Sequence, residues 1–262
     1  MPVVSSQSFD DRMQSLYLAY YGRPADATGL DYWATVLEDH AGRIEDVIEH
    51  FADQAEATRL YGQTPLENRV QTVYSQLLGR GPTGLELEQA LQALSSGQTI
   101  ADISLSVLES ATVGSDASVI ANKLSLANHF TEYLRANPDI EKAYGLPGAV
   151  DYLRARLAEV TEDPASVSSL LGEVEVLGDE LVTQMNTFIT QIQKMYLAFY
   201  GRPADTQGLD YWVSQLAQVD GDIGDIIENF SSSYEADELY EGITLEQQVI
   251  QIYAQLLGRE PS

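Results

Sequence analysis

The chain has 262 residues and a formal charge of −26, from 14 basic and 40 acidic side chains. That balance excludes phosphate-backbone recognition of nucleic acid, which needs a basic surface, and argues against attachment to a bare anionic membrane by charge alone. A hydrophobic fraction of 44% supplies a core for one large or two modest domains, and the absence of cysteine removes disulfides, zinc–thiolate sites and cysteine nucleophiles.

The N-terminus, Met1 to Asp11, has neither a basic n-region nor an apolar h-region, so no conventional signal peptide is read. No apolar run approaches the ~18 residues needed to span a membrane. The chain is either cytoplasmic or exported by a route read elsewhere in a longer protein. Apolar residues then follow helical spacing. Leu30, Trp33 and Leu37 share a face, Ile44, Val47, Ile48 and Phe51 share the next, and Leu66, Val70, Val73 and Leu77 follow. Leu126, Phe130, Tyr133 and Leu134 mark another. No segment shows sustained period-two alternation. The expected fold class is all-α, with about ten to twelve helices.

An internal repeat organises the chain. Residues 17–82 align without a gap to residues 196–261, an offset of 196 − 17 = 179, with 35 identities in 66 positions. The strongest block runs from Tyr17 to Trp33 and again from Tyr196 to Trp212. The expected organisation is two homologous helical modules, 8–110 and 191–262, joined by a distinct helical middle region, 111–190. The second copy stops at Glu260-Pro261-Ser262, where the first continues into a helix-forming stretch, Gly84 to Leu94; it reads as cut within a repeat.

Each copy opens with Gly-Arg-Pro-Ala-Asp, read as a connector between helices. Gly22 and Gly201 suit the left-handed residue after a helix end. Pro24 and Pro203 stop the helix from continuing, and Asp26 and Asp205 are placed to cap the next one. Arg23 is placed to bind the preceding carbonyls or to pair with Asp26 or Asp31. Two readings stay open: a structural corner, or a ligand or partner site built from Arg23, Asp26 and Trp33 with Arg202, Asp205 and Trp212. Both tryptophans sit on apolar helical faces, which favours core anchors over sugar platforms. Of the fifteen tyrosines, Tyr17, Tyr20, Tyr21, Tyr32, Tyr61 and Tyr74 recur largely at equivalent positions, and most are expected in the core with hydroxyls at its rim.

From Pro203 to Gly258 there are eleven acids and no Lys or Arg. Within this stretch Asp220, Asp222 and Asp225 fall in a glycine-containing turn, with Glu228 one helical turn later. Calcium takes several hard oxygens held flexibly, so these four form the candidate metal site. The competing reading is that Asp222 and Asp225 cap a helix. The first copy lacks the cluster, and no twelve-residue EF-hand loop is present.

The string Tyr-Leu-x-x-Tyr-Gly-Arg-Pro-Ala-Asp-x-x-Gly-Leu-Asp-Tyr-Trp resembles the signature of the DUF4214 family, over residues 8–110 and again 186–262. The segments Asn122 to Thr131 and Val160 to Val167 resemble stretches that accompany such modules, with Leu126 in place of the usual Val. The resemblance implies a helical module of large secreted bacterial proteins, including S-layer proteins, adhesins and RTX-type exoproteins. It also implies an N-terminal part that anchors a lattice to lipopolysaccharide, with calcium involved and with type I secretion by a C-terminal signal. A fainter likeness to the helical linkers of phycobilisomes ranks lower, because those linkers tend to be basic.

The three histidines, His40, His50 and His129, have no metal-ligand spacing. No nucleophile elbow, zinc-protease helix motif or phosphate-cradling loop occurs. The expectation is therefore a non-enzyme: an extracellular, cell-surface module binding envelope polysaccharide or lipopolysaccharide, self-associating in a lattice, with calcium as its one expected cofactor, no nucleic acid and no membrane insertion. The alternatives are an adhesin or biofilm-matrix module for foreign polymer or cells, and an intracellular assembly linker.

Overall fold

The helical spacing of the apolar residues is realised in the structure. A computed structural model describes residues 8–146, 148–219 and 221–261. Among them lie fifteen α-helices and no strand, an all-α fold. The count exceeds ten to twelve because short helices, such as α3 (Ile48–Ala52), α4 (Ala55–Tyr61) and α9 (Pro138–Tyr144), break up what periodicity alone joins. No helix is long and apolar enough to cross a membrane, among the described residues.

The chain divides into two compact units, residues 1–142 with 150–177, and residues 143–149 with 178–262. These units cut across the sequence boundaries at 110/111 and 190/191. In the first, α1 (Phe9–Leu16) runs into a π-helical turn, Tyr17–Tyr21, which Gly22 ends at φ +66°. Next come α2 (Ala27–Asp39), a 3-10 turn (Ile44–Asp46), α3, α4 and α5 (Leu66–Leu78). Ile44, Val47, Ile48 and Phe51 are all buried as the periodicity requires, although the backbone tightens to 3-10 over the first three residues. Helices α6 (Gly84–Ser95), α7 (Ile100–Ser110) and α8 (Gly114–Ala136) complete the packing against α5.

Helix α8, which opens the middle region, also packs on α1 and α2. It is no separate body, because its buried residues, among them Leu126, Phe130 and Leu134, belong to the core of the first unit. Two of its polar residues act as joints. The Asn122 Nδ2 donates to the carbonyl of Thr161 at 2.9 Å, so the two middle-region motifs meet. The Lys123 Nζ, fully buried, donates to the Gln76 carbonyl at 2.5 Å, in the last turn of α5 where intrahelical partners run out. Burial pushes the Lys123 ammonium down to about 8.

Helix α10 (Ala149–Ala158) follows α9, and α11 (Ala165–Tyr200) contributes its first part to one unit and its second to the other. In the second unit Phe188, Ile192, Met195 and Tyr196 of α11 pack with α12 (Thr206–Gln218) and α13 (Ile223–Ser231) around Phe230. Helices α14 (Tyr234–Tyr240) and α15 (Leu245–Leu257) follow. The bounds of α12, α14 and α15 equal those of α2, α4 and α5 shifted by 179.

Candidate functional site

The two Gly-Arg-Pro-Ala-Asp corners are built alike. Asp26 is the N-cap of α2, its carboxylate accepting from the Gly29 N–H at 2.6 Å; Asp205 caps α12 from Gly208 at 2.8 Å. That bond, first of all, holds the Asp205 carboxyl below the usual range. Gly22 and Gly201 both take φ +66°, and a Cβ on Gly22 would lie 2.6 Å from the Gln76 side chain. Each corner needs glycine for its backbone, and in both a Cβ would also press on the equivalent glutamine, with Gln255 2.9 Å from one on Gly201.

The arginines look inward. Arg23 donates from Nε and Nη2 to the Glu56 carboxylate, at 3.0 and 2.7 Å, and from Nη1 to the Pro24 carbonyl at 2.9 Å. Arg202 repeats this fork on Glu235, 2.7 Å at both nitrogens. Each guanidinium also covers a tyrosine ring, Tyr17 at 5.1 Å and Tyr196 at 5.2 Å. Asp26 and Asp205 stand 3.8 Å from their arginines, so the expected Arg–Asp pairing is the lesser contact. Asp31 pairs with Arg135 instead, at 2.5 Å.

The tryptophans are anchors. Trp33 is buried edge-on to Phe51, 5.3 Å between centroids, and Trp212 is half-buried, tilted on Phe230 at 4.8 Å. Tyrosine hydroxyls tie the same corner to distant backbone. Tyr21 donates to the Phe51 carbonyl and Tyr61 to that of Tyr20, both at 2.5 Å. Tyr200 and Tyr240 make the equivalent bonds to Phe230 and Phe199, at 3.3 and 2.8 Å. Burial pushes the Tyr20 hydroxyl up to about 12.

Several partners were not read from the sequence. Glu56 and Glu235 close the arginine forks from 33 residues away; both are identities of the repeat, which is the signal that marks them. Gln14 and Gln193 accept from the Ala25 and Ala204 N–H, each at 3.1 Å, and lie just upstream of the aligned block. Tyr32 departs from the core expectation. It is 60% exposed, and Tyr211 is 56% exposed at the equivalent position, each held edge-on to its neighbouring tryptophan.

At the candidate calcium site, Asp222 is the N-cap of α13, accepting from Gly224 at 2.9 Å. Glu228 lies within that helix. Asp220 and the Asp225 side chain lie outside the described residues. Among the described residues no group of three or more His, Asp or Glu is gathered for a metal ion.

The second corner, from Gly201 through α14, lies within a stretch that matches a known family. Residues 182–240 match DUF4214, a domain of unknown function. No match was found among curated proteins or among solved structures. The DUF4214 match spans the end of α11 and helices α12 to α14, and so contains Arg202, Asp205, Trp212 and Glu235. The first corner is tied to the DUF4214 segment through the internal repeat.

Proposed function

We propose that the chain is a non-catalytic cell-surface module, part of a secreted S-layer-like protein, that holds anionic envelope glycan of the lipopolysaccharide class through cation-bridged contact. The supporting observation is the pair of exposed aromatics Tyr32 and Tyr211, at equivalent positions of the two copies. Arg23, Asp26 and Trp33 and their counterparts are engaged within the fold, whereas these two rings present exposed apolar faces of the kind a sugar stacks on. A chain of charge −26 is repelled overall by an anionic glycan, and divalent ions bridging carboxylates on the two sides offset that repulsion.

The experiment is co-sedimentation with vesicles containing lipopolysaccharide, in millimolar calcium and then in chelator, for the native chain and for Tyr32→Ala/Tyr211→Ala. Both positions are exposed, so the double variant folds. The expected result is calcium-dependent pelleting that falls at least tenfold in the variant. Pelleting that ignores both chelator and variant would overturn the reading.

A further inference from the structure

Helix α15 repeats α5 but presents a different surface. Val70, Leu77 and Leu78 of α5 are 0, 0 and 6% exposed; their identities in α15, Val249, Leu256 and Leu257, are 41, 44 and 56% exposed. In the first unit α6, α7 and α8 cover this face. They also supply polar partners. Arg80, just past the end of α5, pairs with Glu86 of α6 and Asp116 of α8 at 2.9 and 2.6 Å, and Lys123 reaches the Gln76 carbonyl. Arg259, the equivalent of Arg80, makes no ion pair, and no side chain donates to the main-chain carbonyl of Gln255, the equivalent of Lys123's acceptor, among the described residues.

We propose that this face of α15 is a docking surface for a partner helical segment with the chemistry of α6–α8: an apolar stripe, two carboxylates positioned for Arg259, and one lysine for the Gln255 carbonyl. Three features of the surface specify that occupant. The apolar residues are those that α5 buries against the same kind of segment. The arginine needs acid. The Gln255 main-chain carbonyl, equivalent to the one that Lys123 reaches in the first unit, takes the lysine.

The test extends the full chain after Ser262 with a second copy of residues 83–163 and follows hydrogen exchange. The expected result is at least tenfold slower exchange over α15 than in the unextended chain, together with helical protection in the added segment. Replacing the added segment's counterpart of Lys123 by Ala, or Val249→Asp with Leu257→Asp in α15, should remove most of that gain. An added segment that stays unprotected overturns the proposal, because docking on α15 is what would order it. So does an unextended chain that sediments as a dimer with α15 already protected, which would make a second copy the occupant.

Discussion

The two corners share their residues but not their surroundings. Around Arg23 the fork on Glu56 is nearly sealed from solvent, and Arg154 of α10 enters as a third member, donating to Glu56 at 2.9 Å and to the Tyr21 carbonyl at 2.9 Å. Around Arg202 the fork on Glu235 is no longer, 2.7 Å at both nitrogens, yet about two fifths of each side chain is exposed. A motif therefore sets the local geometry, while packing by distant helices sets its energy. An ion pair in water contributes little, but taking away a buried carboxylate shared by two guanidinium groups strips both of a partner.

The largest expected effect breaks the comparison at its centre. Glu56→Ala removes the carboxylate that Arg23 and Arg154 share, leaving Arg154 only the exposed Asp151 and Arg23 only the more distant Asp26 as acidic partners, and should cost about 3–5 kcal/mol. Glu235→Ala should cost no more than about 1 kcal/mol. Hydrogen exchange in α2 and α12 reads each unit separately. Equal losses at the two sites would refute the claim that burial, not the motif, carries the energy.

What the sequence disclosed follows the same division. Turn glycine, proline stop and aspartate cap act within a few residues, so Gly22 to Gly29 was legible as a corner from its spelling alone. Glu56 and Arg154 act from 33 and 131 residues away, and no periodicity announces such a distance. Ile44 to Phe51 shows the intermediate case. The apolar spacing identified the buried face, but a continuous helix over the equivalent residues exists only in the second copy, as α13. Tyr32 is the exception among the recurring tyrosines, and its recurrence beside a tryptophan looks the same whether the ring faces the core or solvent. At the acidic cluster Asp222 took the capping role that its place before a helix allows.

A smaller effect, with a sign set by pH, sharpens the same contrast at α5 and α15. Lys123 titrates near 8 in the fold, below its ordinary 10.5 in an unfolded chain, because burial disfavours the ammonium. Between those values the unfolded chain binds more protons than the native one, so stability rises with pH through that window and is flat below it. From pH 8 to 9.5 the first unit should gain about 2 kcal/mol. Lys123→Met should abolish that rise, read as the slope of urea-unfolding free energy against pH. Above pH 10 the buried tyrosines, whose hydroxyls are pushed up by burial, lower the stability of both proteins. A native chain with no rise from pH 8 to 9.5 would mean that Lys123 is solvated in solution.

The smallest effect is where the two copies should agree. Asp26 and Asp205 bond to an amide three residues on, 2.6 and 2.8 Å, and neither bond draws on a distant helix. Asp26→Ala should cost about 1 kcal/mol, the usual loss of a helix cap. Asp205→Ala should speed exchange in the first turn of α12 by the same factor that Asp26→Ala produces in α2. In the second copy acid should do part of this work. The Asp205 carboxyl titrates below its ordinary value, so its contribution is present above that value and fades as pH falls through the lowered one. If the two caps differed as widely as the two glutamates, the corners would not share a local geometry with separate packing, and the motif itself would have to mean different things in the two copies.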